Sequence, residues 1–345
     1  MPNLKPGDKK PALTMYEIAR LAGVSQSTVS RVLNGNKSVA PDIQANILKI
    51  VEELNYRPNM AARGLVSGKT LSVGILTRYM GSPFFSQTLR GMAVGLTGSG
   101  YLPIIALGSD LGSEDLDALK LLLERRVDGL ILQVGWRFSD EYLHELAAEL
   151  PLVVVGQNIP GLEDHCIVVK SFDAAYKATA YLIEKGHTCI AHISGPLFLA
   201  DGIERRNGYC QALMDHGLEV IPELIVEGDF MEGSGIVATE KLLEQRQKYP
   251  FSAIFIANDQ MAVSARLALY RRGVAVPGDV SLIGFDDQPD SQYMIPPLTT
   301  IRHPAYQMGM LAAQAVLGLL DGKRLYLPDL PLELIVRESV TIRSQ

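Results

Sequence analysis

The feature that most limits the possible folds is a regular alternation between residues 71 and 320, in which short apolar runs are followed by longer stretches of helical periodicity. Strands that alternate with helices form parallel sheets with helices wound on both sides. The predicted strands are 71–76, 102–107, 129–134, 152–155, 189–193, 253–257 and 281–285. The predicted helices are 84–97, 114–125, 140–149, 174–185, 204–216, 234–245, 260–272 and 305–320.

Polar and aromatic residues follow several of these predicted strands, where ligands of such sheets bind. The candidates are Arg205, Phe230, Asn258, Asp259, Asp286 and Asp287. Carboxylate, amide and guanidinium groups suit the hydroxyls of a ring, and an aromatic face covers its apolar side. Each residue also fits a cap or turn, and for Asp259 and Asp287 both interpretations stay open. None of these residues pairs a nucleophile with a base, so the pattern does not indicate an enzyme.

The first sixty residues have a different organisation, with three predicted short helices. Thr14 and Glu17 fit a capping box at the start of the first helix, and Gly23 ends it. Ser25 is a good N-cap for a second helix that runs to about Leu33. Pro41 opens a third helix whose apolar residues form one stripe. Two short helices joined by a tight turn and braced by a third form a helix-turn-helix unit.

The predicted outward face of the second helix carries small side chains and side chains that form hydrogen bonds. Gln26 and Ser30 are four residues apart, as are Ser27 and Arg31, so all four can point away from the core. Glutamine pairs with adenine and arginine with guanine in the major groove. A plain solvated face remains an alternative, but this composition favours DNA reading.

Charge is distributed unevenly along the chain. Residues 1–69 hold ten basic and five acidic side chains, whereas residues 70–345 hold 22 basic and 33 acidic side chains. A basic end on an acidic body indicates a polyanion partner at one end. We also expect no membrane span and no secretory signal, and three reduced cysteines that form no metal site. These features predict a cytoplasmic, nucleoid-associated protein.

A short segment between the two parts, residues 58–69, begins with Pro58, which stops the third helix. Asn59 can cap a further short helix, which is marginal alone and is weakened by Gly64. A plain linker and a helix that orders only when it packs against a partner both fit this segment.

The runs TMYEIARLAGVSQSTVSRVLNG and VEELNYRPNMAARGL resemble the headpiece of the lactose-repressor/galactose-repressor (LacI/GalR) family over residues 14–69. The resemblance implies that Gln26, Ser27 and Arg31 read bases. It implies that other residues contact phosphates or fix the register, and these are Ser25, Thr28, Asn34, Tyr56 and Asn59. It also makes 58–69 a hinge helix whose Leu65 wedges into the minor groove.

The body carries further motifs of that family, including Ser82-Pro83-Phe84-Phe85, Val127-Asp128-Gly129 and Ala257-Asn258-Asp259-Gln260. The resemblance implies a two-lobed, periplasmic-binding-protein-like core with two doubly wound parallel sheets. Its implied effector contacts are Arg205, Asn258, Asp286, Phe230, Phe84, His303, Thr77 and Arg78. Lys170 departs from the family pattern, which leaves open an anionic ligand or a surface lysine.

The implied organisation is a tail at 1–13, a helix-turn-helix domain at 14–57, the hinge at 58–69 and a core at 70–345. The first lobe spans about 70–168 and 303–328, and the second about 169–302 and 329–345. The chain ends just past the last expected strand without a leucine-rich tail helix, which favours a dimer.

The function expected from these features is that of a homodimeric repressor of a palindromic operator, controlled by a small molecule, a saccharide, between the lobes. We expect no cofactor, metal or catalytic residue. The alternative is a two-lobed solute-binding or sugar-sensing protein with a nucleobase or another anionic ligand. The missing export signal and the headpiece favour the first reading.

Overall fold

The structure is a computed structural model that describes residues 14–33, 38–56, 68–78, 80–108, 113–133, 138–323 and 326–343. It divides into two compact units, Met1–Thr70 and Leu71–Gln345, which we describe separately.

The N-terminal unit contains the three predicted helices, α1 (Met15–Ala22), α2 (Gln26–Leu33) and α3 (Pro41–Glu53). The capping box is confirmed, because Glu17 N–H donates to Thr14 Oγ1 while Thr14 N–H donates to Glu17 Oε2. Gly23 ends α1 at φ 68°, in the left-handed region that glycine adopts readily. Ile18, Val29 and Ile47, one from each helix, meet in the core of this unit. The helices therefore form the predicted helix-turn-helix arrangement.

The first lobe is built on an all-parallel sheet of five strands in the order β2-β1-β3-β4-β5. Its strands are β1 (Ser72–Thr77), β2 (Leu102–Leu107), β3 (Gly129–Leu132), β4 (Leu152–Val155) and β5 (Cys166–Ile167). The helices α4 (Pro83–Leu96) and α11 (Ala305–Leu320) cover one face. The helices α5 (Ser113–Glu124) and α6 (Asp140–Glu149) cover the other.

The second lobe is built on a six-stranded sheet in the order β11-β10-β9-β8-β6-β7. Its strands are β6 (Ile190–Ser194), β7 (Ile225–Glu227), β8 (Ala253–Ile256), β9 (Ser281–Asp286), β10 (Thr299–Arg302) and β11 (Glu333–Ile335). All neighbours are parallel except β11, which pairs antiparallel with β10 at the edge. The helices α7 (Ser171–Glu184) and α8 (Ala200–Asp215) cover one face, and α9 (Glu232–Gln245) and α10 (Asp259–Arg271) the other.

The chain passes between the lobes three times, since β5 precedes α7, β10 precedes α11 and α11 precedes β11. The two-lobed α/β core with parallel sheets is thus confirmed. The antiparallel edge strand is an addition that the sequence pattern did not predict. Both sheets direct the carboxyl ends of their parallel strands to loops that carry the candidate ligand residues.

Four strands escaped the sequence analysis: β5, β7, β10 and β11. Three of them are only two or three residues long, which is too short to establish a periodicity. The fourth, β10, has the polar sequence TTIR, but its threonines are buried. The Thr300 hydroxyl donates to Asp259 Oδ1, and the Thr299 N–H donates to Ser339 Oγ, so side chains far along the chain satisfy this polar strand.

In the described part of the chain, no helix combines the length and the apolar composition that crossing a bilayer requires. Among the same residues no group of histidine, cysteine and acidic side chains could hold a metal ion. Cys166, Cys189 and Cys210 are all unpaired thiols.

Candidate functional site

The second helix of the N-terminal unit presents the residues predicted to read DNA. Gln26, Ser27 and Arg31 are all exposed on α2, while Val29 and Val32 on its opposite side are buried. This division follows from the spacing, because residues four apart share one face of a helix. The exposed face therefore carries an amide and a guanidinium, which are the groups suited to base edges.

Hydroxyl groups form a small network at the start of α2. The Ser25 and Ser27 Oγ atoms lie 2.7 Å apart, and Ser25 Oγ lies 2.9 Å from Thr28 Oγ1. Ser25 Oγ also accepts a hydrogen bond from the Thr28 N–H at 3.2 Å, as expected of an N-cap. The Ser27 hydroxyl is thus hydrogen-bonded to the N-cap residue of α2 in this structure.

The remaining predicted DNA contacts differ in position. Ser30 and Thr28 are half-buried on α2. Tyr56 is only 8% exposed and packs in the core of the N-terminal unit, so its ring stabilises the helices. The other three predicted contacts lie outside the described residues: Asn34, Asn59 and Leu65.

A cleft of ≈ 540 Å³ lies between the two lobes, beyond the carboxyl ends of both sheets. Its position agrees with the general rule for ligand sites in open parallel sheets. Six of the eight predicted effector contacts line it: Phe84, Arg205, Phe230, Asn258, Asp286 and His303. Asp286 is the last residue of β9, and the other five follow β1, β6, β7, β8 and β10, so the fold brings together residues that are distant in sequence.

Arg205 is the central cation of the second-lobe wall. It is buried on α8, its Nη1 donates to the Ala257 carbonyl oxygen at 2.5 Å, and its Cζ lies 3.7 Å from the centre of the Phe285 ring. Nη1 is also 3.7 Å from Asp286 Oδ1, and Nη2 is 3.9 Å from Asp201 Oδ2. Stacking on a ring together with two carboxylates holds the planar guanidinium in one orientation.

Two titratable groups beside Arg205 have shifted pKa values. Burial raises the pKa of Asp286, and the positive charge of Arg205 opposes that shift. Burial lowers the pKa of His303 to about 3, so its imidazole is neutral at pH 7. The His303 ring packs edge-on against Phe84, with 4.9 Å between ring centres, and thereby links the two lobes at the cleft.

Asn258 and Phe230 support one another on the same wall. Asn258 caps α10, because its Oδ1 accepts from the Met261 N–H at 2.9 Å, and its Nδ2 donates to the Phe230 carbonyl oxygen at 2.9 Å. Phe230 has φ 68°, a left-handed conformation that is uncommon for a non-glycine residue. Its ring packs against Gly195, where a Cβ atom would clash with it. The aromatic face thus has a fixed place in the cleft.

Two predicted effector contacts do not line the cleft. Thr77 is fully buried at the end of β1, where its hydroxyl donates to Gln133 Oε1 at 3.0 Å. Arg78 follows it and is absent from the cleft lining. Thr77 lies within the sheet because β1 continues one residue further than expected, and both effector contacts stay predictions.

Three other polar residues that the sequence left open have structural roles. Asp259, the first residue of α10, accepts hydrogen bonds from the Gln288 N–H and from the Ser291 and Thr300 hydroxyls, which tie α10 to β10 and to the segment between β9 and β10. Asp287 pairs with Arg302 and Arg337. Lys170 forms an exposed ion pair with Asp329, 3.0 Å away, and does not line the cleft. Lys170 therefore gives no reason to expect an anionic ligand.

Several lining residues escaped the sequence analysis, namely Gln133, Gln157, Asn158, Phe198, Asp201 and Glu204. For Gln133, Gln157 and Asn158, the feature that could have identified them is their position just after a strand. Gln133 was predicted to lie inside the strand 129–134, but β3 ends at Leu132, so Gln133 is the first residue beyond it. Asp201, another lining residue, is held in place by the Ser171 hydroxyl, from which it accepts a hydrogen bond at 2.7 Å.

Unpartnered polar atoms are concentrated around this cleft. Seven buried side-chain nitrogen or oxygen atoms among the described residues have no hydrogen-bond partner. Four of them belong to residues that line the cleft: Gln133 Nε2, Gln157 Oε1, Arg205 Nε and His303 Nδ1. Buried polar groups are satisfied in most structures, so such a concentration indicates that a polar ligand completes the site.

Both parts of the chain are similar to known protein families. A model of bacterial regulatory proteins of the lacI family matches residues 14–59, and a model of a periplasmic binding protein-like domain matches residues 179–340. Catabolite control protein A of Priestia megaterium is 37% identical over 302 residues, which are 87% of this chain and 90% of that protein.

Two solved structures are similar to this chain over nearly its whole length. The lac repressor dimer bound to operator and the anti-inducer ONPF is 28% identical, with a TM-score of 0.86 over 96% of this chain and 100% of that chain. The complex of the transcriptional regulator CelR with cellobiose is 30% identical, with a TM-score of 0.71 over 95% of this chain and 99% of that chain.

Proposed function

Because the chain belongs to the LacI family of bacterial regulatory proteins and is a DNA-binding transcriptional repressor with an effector-binding core, we propose that a saccharide bound in the interlobe cleft controls it. Its family consists of regulators, so the chain is not an enzyme. The relative whose structure contains cellobiose supports a sugar as the class of effector.

The observation that carries this proposal is the combination of unpartnered polar atoms and aromatic faces on one cleft. Gln133 and Gln157 in the first lobe, Arg205 in the second, and His303 where the chain crosses from the second lobe to the first each have a buried polar atom to satisfy. Phe84 and Phe230 offer apolar faces in the same cleft. A sugar ring has hydroxyls around its edge and C–H groups on its faces, so it complements both features.

We further propose that the repressor binds a palindromic operator as a dimer, since one short recognition helix reads too few base pairs alone. An exposed apolar surface on the second lobe fits a second copy of the chain. It comprises Val237 on α9, Val263 and Leu267 on α10, and Tyr293 and Ile295 in the following loop. Arg266 Nε donates to the Ile295 carbonyl oxygen at 2.9 Å, which joins the loop to α10. Apolar surfaces of this kind are typical of interfaces.

Control would pass through the segment 58–69, which we propose to be a hinge helix. Closure of the lobes on an effector changes the distance between the two hinges of a dimer, and ordered hinges favour operator binding. A coupling of roughly 1–3 kcal/mol between the two sites is usual for such linkage. A Leu65→Ala variant should then lose specific operator affinity more than non-specific affinity, because only the specific complex uses the wedge.

A thermal-shift screen of the full-length protein tests the effector class. The panel contains neutral sugars including cellobiose, sugar phosphates, nucleosides and nucleobases. At about 100 times its Kd a ligand stabilises the protein by about 2.7 kcal/mol, which corresponds to about 5 °C in a core of this size. We expect a saccharide to give such a shift and to change operator affinity.

A nucleobase is the second candidate, because phenylalanine rings and glutamine amides also suit a flat heterocycle with donor and acceptor edges. A shift with nucleobases and none with any saccharide would replace the sugar in this proposal. A ligand that shifts the Tm without altering operator affinity would contradict its role as an effector.

A further inference from the structure

Thr77 and Gln133 form a buried pair in the first lobe, at the ends of neighbouring strands. Thr77 is the last residue of β1, and Gln133 directly follows β3, which lies beside β1 in the sheet. Both side chains are buried, and the Thr77 hydroxyl donates to Gln133 Oε1 at 3.0 Å. Only Gln133 lines the cleft.

This hydrogen bond decides which end of the glutamine amide is available to a ligand. A threonine hydroxyl has one proton to donate, and an amide offers one oxygen and one NH₂ group. Because Oε1 accepts the Thr77 proton, the amide group is held with Nε2 as its other terminus. Nε2 is buried and has no partner in the described structure. The first-lobe wall therefore contains an oriented donor that lacks an acceptor.

We propose that Gln133 Nε2 donates a hydrogen bond to the effector and that Thr77 is a positioning residue, which keeps this amide in the donating orientation. The inference rests on the proposed function, since it assigns a contact to the effector cleft. It adds a requirement to the ligand, which must present a hydroxyl oxygen, a carbonyl oxygen or a ring nitrogen to the first lobe.

Gln157 adds a complementary group on the same wall. It follows β4, the neighbour of β3, and its Oε1 is a buried acceptor without a partner. The first lobe thus offers one donor and one acceptor from adjacent strand ends. Two neighbouring hydroxyls of a sugar satisfy both, because a hydroxyl can both donate and accept. A ligand with only acceptors or only donors on this side leaves one of the two groups unsatisfied.

The test uses the full-length protein, with isothermal titration against cellobiose, D-glucose, D-ribose and adenine. Gln133→Met removes the donor and is expected to weaken binding of the ligand that wild type binds by about 10- to 100-fold. Thr77→Val removes only the hydroxyl and should weaken it by about tenfold. Thr77→Ser keeps a hydroxyl and should restore affinity to within about twofold of wild type.

A double variant separates positioning from packing. If Thr77 acts through Gln133, then adding Thr77→Val to Gln133→Met has little further effect on affinity, whereas independent effects would multiply. Thr239→Val is the matched control, since Thr239 is an equally buried threonine whose hydroxyl donates to the Gly235 carbonyl within α9. It should leave affinity unchanged. Multiplying effects, or wild-type affinity in Gln133→Met, would overturn the proposal.

The Tm of the ligand-free protein tests the inference even if none of these compounds binds. Gln133→Met alone leaves the buried Thr77 hydroxyl without its acceptor, so the comparison uses the Gln133→Met/Thr77→Val double variant, in which both partners are apolar. An unpartnered buried donor destabilises the ligand-free protein, so this double variant should keep or raise the Tm. A clear fall in its Tm without ligand would assign the glutamine a structural role and overturn the proposal. Binding of adenine alone would contradict the saccharide, while the same variants would still test Gln133 against adenine.

Discussion

Arg205 Nη1 lies 3.7 Å from Asp286 Oδ1, so the central cation of the cleft faces a carboxylate at the end of β9. The two residues are far apart in sequence, since Arg205 is on α8, which follows β6, and Asp286 is the last residue of β9 in the same sheet. Their pairing leaves the Arg205 Nε atom without a partner in a cleft large enough for a small ligand.

Replacing Arg205 with alanine should abolish the effector response and leave effector-free operator binding intact. Loss of charge-assisted hydrogen bonds costs about 2–3 kcal/mol, or roughly 30- to 150-fold in effector Kd. Titration calorimetry and operator binding with and without effector provide the measurement. Arg206→Ala is the matched control, because the adjacent arginine on α8 does not line the cleft. A normal response in Arg205→Ala would remove this residue from the site.

Replacing Gly195 with alanine should weaken effector binding through Phe230. The added Cβ atom would lie under 3.0 Å from the Phe230 ring and must displace it. We expect the effector Kd to rise about tenfold, which corresponds to about 1.4 kcal/mol. Gly233→Ala is the control, since a Cβ atom there meets no atom within 4 Å. Equal affinities of the two variants in the same titration would contradict a role for the fixed aromatic face.

A leucine on the surface of α10 should control assembly. Leu267→Asp places a charge in the proposed interface, so we expect a monomer in analytical ultracentrifugation at concentrations where wild type is dimeric. Its operator affinity should fall sharply, because each headpiece reads only a half-site. Met214→Asp, at an exposed methionine on α8 outside that surface, is the control and should remain dimeric. Dimeric Leu267→Asp would exclude this surface as the interface.

Arg31 should contribute to operator sequence recognition rather than to general DNA affinity. Arg31→Ala is expected to reduce the preference for an operator selected from random duplexes by about 1–3 kcal/mol. Competition against random-sequence DNA at one fixed salt concentration measures this preference. Lys49→Ala removes an exposed cation from α3 and serves as the comparison. If both variants lower specific and non-specific affinity equally, Arg31 contacts only the phosphate backbone.

The second lobe should lose stability in acid because of His192. Its ring is fully buried between Tyr209 and Phe255, and burial lowers its pKa to about 3. The folded state therefore binds fewer protons than the unfolded state, and the stability present above pH 6.5 is lost as the pH falls towards 3. His192→Phe removes this proton uptake.

Urea unfolding at pH 8 and pH 5 measures the effect of that substitution. Buried Asp259, whose pKa is raised to about 6, shifts stability in the opposite direction, so the variant must be compared with wild type at each pH. The free energy of unfolding of the variant relative to wild type should rise by about 2 kcal/mol between pH 8 and pH 5. An unchanged difference would show that His192 takes up its proton at the same pH in the folded and the unfolded protein, so that burial does not lower its pKa.

Much of this protein is determined by local sequence. The capping box of Thr14 and Glu17, the left-handed Gly23 and the exposed face of α2 depend on residues within one or two helical turns of each other. Seven strands were located because apolar runs are visible in the sequence. The family motifs then indicated six residues that line the cleft.

Only the tertiary structure decided the details of the cleft. Thr77 and Gln133 are 56 residues apart, and no spacing rule predicts that β1 and β3 place them in hydrogen-bonding contact. The polar strand β10 is stable because Asp259 and Ser339 satisfy its threonines. Local patterns specify helices, caps and buried runs, since their free energy comes from neighbouring residues. The partner of a buried polar group depends instead on which strand ends the whole chain brings together.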